Sequence, residues 1–261
     1  MGEAWPVAVA ALLGACAGSL LNLCVERWPA VGPVPSGWPR CAHCSARIDW
    51  RGVVPVVGHL AAGGRCPRCR ERRSLRYPLV EVASALIWAL SLLHLGATVD
   101  TANAVIFLTI LLGAAVSDAR TYIIPDQFTL GGAALGVLLA PLPGGIGLGE
   151  AVAGAALGFG LLWIVALGAR AALGREALGG GDIKMMAMVG AFLGPAMVPL
   201  VLFIGALLGS AIFGPVSLKT GRPVPFGVFL ALGAAIAYLW GDSLAAWYLQ
   251  GVLGLGSAGS H

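Results

Sequence analysis

The chain has 261 residues, of which 58% are hydrophobic and only 11% charged, and its formal net charge is +4. Soluble domains carry about 25% charged residues, so this composition excludes an ordinary water-soluble globular protein. Apolar runs near twenty residues long recur along the whole sequence, and segments that alternate apolar with polar residues, as membrane β-strands do, are absent. The sequence therefore predicts an all-α polytopic membrane protein.

We predict about eight transmembrane helices, with a small zinc-binding cytosolic domain between the first and the second. Their approximate ranges are 4–25, 77–95, 102–117, 127–142, 150–168, 182–194, 196–215 and 224–240. The first range lacks the basic start of a signal peptide, so we expect it to be retained as a helix. The predicted divisions are a first helix (1–25), a cytosolic domain (26–76), a membrane core (77–253) and a tail (254–261).

The basic residues predict how the helices are oriented. When residues 26–76 are placed in the cytosol and successive loops alternate, all 16 Lys and Arg residues fall on the cytosolic side. The outer side then carries only acidic charges, at Glu3, Asp100, Glu150 and Asp242. This distribution satisfies the positive-inside rule, so we expect the N-terminus to lie outside and residues 26–76 inside.

Two aspartates lie at the ends of apolar segments. Asp118 follows the run 102–116, and Asp182 precedes the run 185–193. The predicted topology puts both at one depth, near the inner boundary between membrane and water. Carboxylates beside hydrocarbon are costly and often functional, and two that share a proton can supply the base and the acid of an aspartyl peptidase. We therefore predict an intramembrane aspartyl peptidase whose catalytic pair is Asp118 and Asp182.

Residues near this pair are weaker candidates for substrate binding or support of the site. Gly180 and Gly181 could let the backbone approach a substrate and adopt dihedral angles that other residues resist. Lys184 could tune the pair or bind lipid phosphate. Asp126 could cap the fourth helix. Glu81 falls inside the second predicted helix, where a carboxyl group must face protein or water.

Each aspartate also has a simpler interpretation. Asp118 could be a solvated charge at a helix end, and Asp182 could be a helix N-cap. A different class of protein, a zinc-containing membrane transport or assembly protein, would need carboxylates along the full depth of the bilayer. The proposed pair lies at one face instead, which argues against an ion path. A non-catalytic scaffold gives no reason for the glycine run before Asp182.

Four of the six cysteines form two C-x-x-C pairs, Cys41 with Cys44 and Cys66 with Cys69. The doubled motif is typical of a structural zinc site in which each pair supplies two thiolates. Disulfides are disfavoured in a reducing cytosol, and a segment without much core can take folding energy from a metal. A redox pair or unligated thiols are the alternatives. We predict structural zinc at these four residues.

At these motifs the chain resembles the type IV prepilin peptidases, a family of bifunctional leader peptidases and N-methyltransferases. The matching segments are 18–22, 40–44, 64–69, 76–81, 118–126, 179–184 and 225–227. The resemblance implies that Asp118 and Asp182 cleave the basic leader of type IV prepilins or type II secretion pseudopilins after a glycine. It also implies methylation of the new N-terminus with S-adenosylmethionine.

The resemblance further implies a place in the bacterial inner membrane, with prepilin proteins and membrane lipid as partners and no role for nucleic acid. The alternative within the family is a peptidase that does not transfer methyl groups. The sequence contains no glycine-rich motif of the soluble methyltransferase kind, so the expectation of methyl transfer depends on the resemblance alone.

Overall fold

The computed structural model describes residues 4–27, 40–41, 43–47, 54–174, 178–220, 224–248 and 250, and these residues are mainly helical. In chain order the helices are α1 Ala4–Arg27, α2 Val57–Ala61, α3 Arg76–Leu95, α4 Val99–Thr121, α5 Asp126–Leu139, α6 Leu148–Leu173, α7 Gly180–Leu193, α8 Val198–Thr220 and α9 Phe226–Trp247. The only strand-like features within the described ranges are isolated bridges. The predicted all-α fold is therefore confirmed, while the predicted tail lies outside the described residues.

Six of these helices are long and apolar enough to cross a membrane: α1, α3, α4, α6, α8 and α9. α5 and α7 have 14 residues each, which corresponds to about 21 Å and is shorter than the bilayer core of about 30 Å. Counted with the six long helices, these two account for the roughly eight apolar segments that the sequence predicts. The chain is a multi-pass membrane protein.

Several helices end at residues whose backbone conformation stops them. α4 continues past its predicted end at 117, because the left-handed residue that caps it is Tyr122, with φ 55°. α6 continues past 168 to a left-handed Gly174, with φ 64°, which is a common helix C-terminus. Pro195 lies just beyond the end of α7. Pro199 does not interrupt a helix, because it lies in the first turn of α8, where a missing N–H group costs nothing.

The chain forms two compact units. The first contains Met1–Gln127 and Pro143–Gly145, and the second contains Phe128–Leu142 and Ile146–His261. In the first unit α1 packs along α3, and α4 contacts both. In the second unit α6 packs along α7, α8 packs along α9, and α7 also contacts α9.

Glycines bring helices into backbone contact inside each unit. In the first unit a Cβ atom at Gly18 of α1 would lie 2.7 Å from the Cα atom of Glu81 in α3. In the second unit a Cβ atom at Gly154 of α6 would lie 2.1 Å from the carbonyl oxygen of Gly190 in α7, and one at Gly158 would lie 2.1 Å from that of Met186. Such close approach excludes side chains and is typical of helix pairs in membranes.

Candidate active site and cysteine centre

Asp118 lies in the last turn of α4, in the first unit, and is 5% exposed. The chain turns back immediately after it. The N–H group of Tyr122 donates to the carbonyl oxygen of Asp118 at 2.9 Å, and the Ser117 hydroxyl donates to the carbonyl oxygen of Ile123 at 2.8 Å. The Thr121 hydroxyl donates to the Ser117 carbonyl oxygen at 3.0 Å. Asp118 is thus a buried carboxyl at a helix end, which contradicts its interpretation as a solvated charge.

Residues 122–125, which we call the α4–α5 turn, divide between an exposed and a buried half. Tyr122 and Ile123 are exposed, whereas Ile124 and Pro125 are buried. Asp126 follows as the first residue of α5 and is exposed. A carboxylate in a first turn interacts favourably with the helix dipole, and the role of Asp126 as the cap of this helix stays a prediction.

Asp182 is the third residue of α7, in the second unit, and is 8% exposed. The residue at the N-cap is Gly179, so the interpretation of Asp182 as the N-cap is wrong. The N–H group of Asp182 donates to the carbonyl oxygen of Gly179 at 3.1 Å. A Cβ atom at Gly179 would lie 3.3 Å from Oδ2 of Asp182, so the carboxylate folds back over the start of its own helix.

The glycine run before Asp182 has ordinary backbone angles. Gly179 has φ −73°, and neither Gly180 nor Gly181 has a positive φ. The expectation of dihedral angles that other residues resist is therefore wrong, because the run simply enters an α-helix. A Cβ atom at Gly180 would meet nothing within 4 Å in the described part of the chain, so this side of α7 is open. Lys184 lies one turn further on and is half-buried.

Asp118 belongs to the first unit and Asp182 to the second. Both are buried and both lie at helix ends, as a catalytic pair requires, and their pairing stays a prediction. Glu81 lies in the second turn of α3, and its Oε2 atom accepts a hydrogen bond from the N–H group of Val56 at 2.7 Å. This carboxyl group therefore faces protein, and its role in the site stays a prediction.

The four cysteines of the C-x-x-C pairs come together between α1 and α3. Their Sγ atoms all lie within 4.8 Å of one another, and the Cys41–Cys69 and Cys44–Cys66 pairs are 3.8 Å apart. Four thiolates at a zinc–sulfur distance of 2.3 Å, arranged as a tetrahedron, would be about 3.8 Å apart. The four residues therefore fit a tetrahedral metal ion, and none of them forms a disulfide.

The two cysteine pairs lie on equivalent turns. In each turn the N–H group of the first cysteine donates to the carbonyl oxygen five residues later, at 2.9 Å for Cys41 and 2.8 Å for Cys66. The residue after the second cysteine has a positive φ in both turns, 54° at Ser45 and 61° at Arg70. Antiparallel bridges close both turns, and they join Arg40 to Arg47 and Arg65 to Arg72. The metal would thus be held by two copies of one backbone motif.

Backbone hydrogen bonds shift the pKa values of the cysteine thiols in these turns. Donation from backbone N–H groups, that of Cys44 foremost, lowers the pKa of Cys41. Donation from the N–H group of Cys69 foremost lowers the pKa of Cys66 to about 6. The Glu71 N–H group lowers the pKa of Cys69, but burial and the neighbouring thiols outweigh it and raise this pKa to about 12. Since metals bind the thiolate form of cysteine, the lowered pKa values of Cys41 and Cys66 favour metal binding.

Comparison with known proteins defines the class. Residues 105–214 match the family model described as the type IV leader peptidase family, and residues 12–95 match the bacterial peptidase A24 N-terminal domain. The chain belongs to the type IV leader peptidase family.

Individual relatives are similar over most of their length, and each carries the name prepilin leader peptidase/N-methyltransferase. The protein of Aeromonas hydrophila is 36% identical over 217 residues, which cover 82% of this chain and 75% of that protein. The protein of Pseudomonas aeruginosa is 35% identical over 271 residues, which cover 92% of each chain. The protein of Bacillus subtilis is 32% identical over 222 residues, which cover 82% of this chain and 86% of that protein. No solved structure matches the chain.

Proposed function

We propose that the chain removes the basic leader from type IV prepilins or type II secretion pseudopilins by cleavage after a glycine. Membership of the type IV leader peptidase family carries this proposal. The similarity to prepilin leader peptidase/N-methyltransferases extends over most of the chain, including both aspartates. Two buried carboxyl groups at helix ends, Asp118 and Asp182, supply the chemistry that such a peptidase needs.

In the proposed reaction the two carboxyl groups hold one proton between them. The ionised aspartate takes a proton from water as the water oxygen attacks the scissile carbonyl carbon, while the protonated aspartate donates to the carbonyl oxygen. As the tetrahedral intermediate collapses and the C–N bond breaks, the aspartate that took the proton from water gives it to the leaving amine, and the other aspartate takes a proton back from a hydroxyl group of the intermediate. The apolar helix of the substrate docks among the membrane helices by packing.

The enzyme acts at the cytosolic face of the bacterial inner membrane, with its N-terminus outside. The distribution of Lys and Arg residues supports this orientation. The C-x-x-C pairs and both aspartates then lie on the cytosolic side, where the leader of a newly made substrate is also found.

We propose that the four clustered cysteines, Cys41, Cys44, Cys66 and Cys69, bind a structural Zn²⁺ ion. The four Sγ atoms, which lie within 4.8 Å of one another, would supply all four ligands of a tetrahedral zinc ion and leave no position for water or substrate. The role of the ion is therefore to fold the segment that contains the cysteines rather than to take part in peptide cleavage.

The names of the relatives support a second reaction, N-methylation of the new N-terminus with S-adenosylmethionine as donor. This molecule supplies a methyl group to the free amine that cleavage exposes. The described residues include no strand–glycine loop–helix unit of the soluble nucleotide-binding kind, so we assign no residue to the donor.

The test is to incubate the purified protein with a prepilin and a labelled methyl donor, and to analyse the products by mass spectrometry. We expect Asp118→Asn and Asp182→Asn each to lower leader cleavage by about 10²–10⁴-fold or more, because each removes a proton-transfer group. Asp100→Asn is the matched control, since Asp100 lies in the first turn of α4, at the end opposite Asp118. Normal turnover in either test variant would refute the catalytic pair, and a cleaved but unlabelled product would refute methyl transfer.

A further inference from the structure

Glu81 is a buried carboxyl group in a membrane helix with a partner outside that helix. It lies in α3 and is 7% exposed. Its Oε2 atom accepts from the N–H group of Val56 at 2.7 Å, and the side chain of Ser19 in α1 also hydrogen-bonds to it. A carboxyl group in hydrocarbon needs such partners. Val56, however, belongs to the segment between α1 and α3 that contains the four cysteines, which we call the cysteine segment.

Val56 has a strained backbone. Its dihedral angles are φ 58° and ψ −54°, and the N–H group of Val57 donates to the carbonyl oxygen of Pro55 across it. These angles and this bond define a classic γ-turn, which is rare and strained. A β-branched residue at positive φ is a true outlier. Such a conformation persists only where its surroundings hold it. The Val56 carbonyl oxygen accepts from the N–H groups of His59 and Leu60 within α2. The hydrogen bond to Glu81 is the contact that connects the turn to α3.

Hydrogen bonds connect this turn to the second cysteine pair. α2 begins directly after Val56, and its buried His59 accepts, through its backbone carbonyl, from the N–H group of Gly64 at 2.9 Å. The next residue, Arg65, donates its N–H group to the Ala62 carbonyl oxygen at 3.1 Å. Cys66 follows immediately in the sequence. The position of Val56 therefore determines where α2 lies and where the Cys66 turn begins.

We propose that Glu81 is a positioning residue that holds the strained turn at Val56, and through it the cysteine segment, against α1 and α3. Its side chain is long enough for the Oε2 atom to accept the hydrogen bond of the Val56 N–H group. The side chain touches neither substrate nor metal. Loss of this contact lets the γ-turn relax, so α2 and the Cys66 turn separate from the membrane helices. The inference goes beyond the proposed function and does not depend on the catalytic pair.

The test compares variants of the full-length, zinc-loaded protein in lipid nanodiscs. Amide hydrogen exchange of residues 54–61 and the rate of zinc transfer to a chelator are measured for each. We expect Glu81→Asp, which is too short to reach Val56, and Glu81→Ala to raise both rates at least tenfold. Glu81→Gln retains an acceptor oxygen at the same reach, so its rates stay near those of the parent protein. Ser91→Ala is the matched control, since Ser91 is a buried polar residue of the same helix.

A second comparison tests the strain itself. Glycine adopts positive φ without cost, so Val56→Gly removes the need for a contact that holds the turn. Adding Val56→Gly to Glu81→Asp is therefore expected to reverse most of the increase in hydrogen exchange, which is a non-additive result between contacting residues. If the two substitutions are additive, the proposal is wrong. It is also wrong if Glu81→Asp leaves hydrogen exchange and zinc transfer unchanged.

Prepilin cleavage separates a positioning role from a catalytic one. Because Glu81 acts through Val56, we expect Glu81→Asp to raise KM and to leave kcat within about twofold of the parent value, and Glu81→Gln to change neither. A loss of kcat in both variants would place the carboxylate among the reacting groups and overturn the inference. A chain that cleaves no prepilin would refute the proposed function, while the exchange and zinc measurements would still decide the role of Glu81.

Discussion

At the scale of single residues, two uncharged groups shape the turn that follows Asp118. The Ser117 hydroxyl and the Tyr122 N–H group fold the α4–α5 turn back onto the last turn of α4. Hydropathy and residue type single out Asp118, because a carboxyl group beside an apolar run is unusual. They do not reveal this turn, because a positive φ at Tyr122 and a hydroxyl–carbonyl contact leave no pattern in the sequence.

We predict that Ser117→Ala lowers kcat for leader cleavage by about fivefold. The substitution removes a partly buried hydrogen bond to Ile123, worth about 1 kcal/mol, and a loss of that size in the transition state corresponds to about a fivefold change in rate. Steady-state kinetics with a prepilin measures the effect. Thr121→Ser is the control, since it keeps the hydroxyl group that binds the Ser117 carbonyl oxygen. Parent-like kcat in Ser117→Ala would show that the α4–α5 turn does not position Asp118.

At the scale of helices, glycines of α6 determine where α7 lies, and α7 carries Asp182. Gly154 and Gly158 are one turn apart and both meet the backbone of α7. Their spacing matches the small-residue pattern of membrane helix pairs, so this signal was present in the sequence. The signal is hard to distinguish from its background, because the chain has 39 glycines and spacing alone does not tell which of them face a neighbouring helix.

We predict that Gly158→Ala destabilises the protein by about 1–3 kcal/mol, because the added methyl group would lie 2.1 Å from the Met186 carbonyl oxygen and the two helices must separate. Gly160→Ala is the matched control on the same helix, since a Cβ atom there meets nothing within 4 Å in the described residues. Thermal unfolding in detergent compares the two variants. Equal melting temperatures would contradict the close packing of α6 on α7.

At the scale of the whole molecule, the membrane helices and the cysteine segment owe their stability to different causes. Apolar helices fold in the bilayer because every backbone group is satisfied within a helix. The cysteine segment has little apolar core among its described residues, where Cys66 is the buried hydrophobic residue. A metal bound to four thiolates would supply the missing folding energy.

We predict that Cys66→Ser, or treatment with a strong chelator, removes zinc and exposes residues 54–73 to proteolysis while the membrane helices remain folded. The reason is that a structural metal site contributes folding free energy directly. Metal analysis and limited proteolysis of the purified protein test this. Cys16→Ser is the control, since Cys16 lies on α1 outside the cluster. Protein purified without metal, yet resistant to protease in the cysteine segment, would contradict the zinc assignment.

Hydropathy and residue spacing by themselves determined the all-α membrane class, the roughly eight apolar helices, the two C-x-x-C pairs and the position of two aspartates at the ends of apolar segments. These features follow from local composition, which a chain carries whether or not it is folded. Only the tertiary structure decided that both aspartates are buried, that Glu81 accepts a hydrogen bond from Val56, and which glycines bring helices into contact. These are contacts or backbone angles set by packing, and packing depends on residues far apart in the chain.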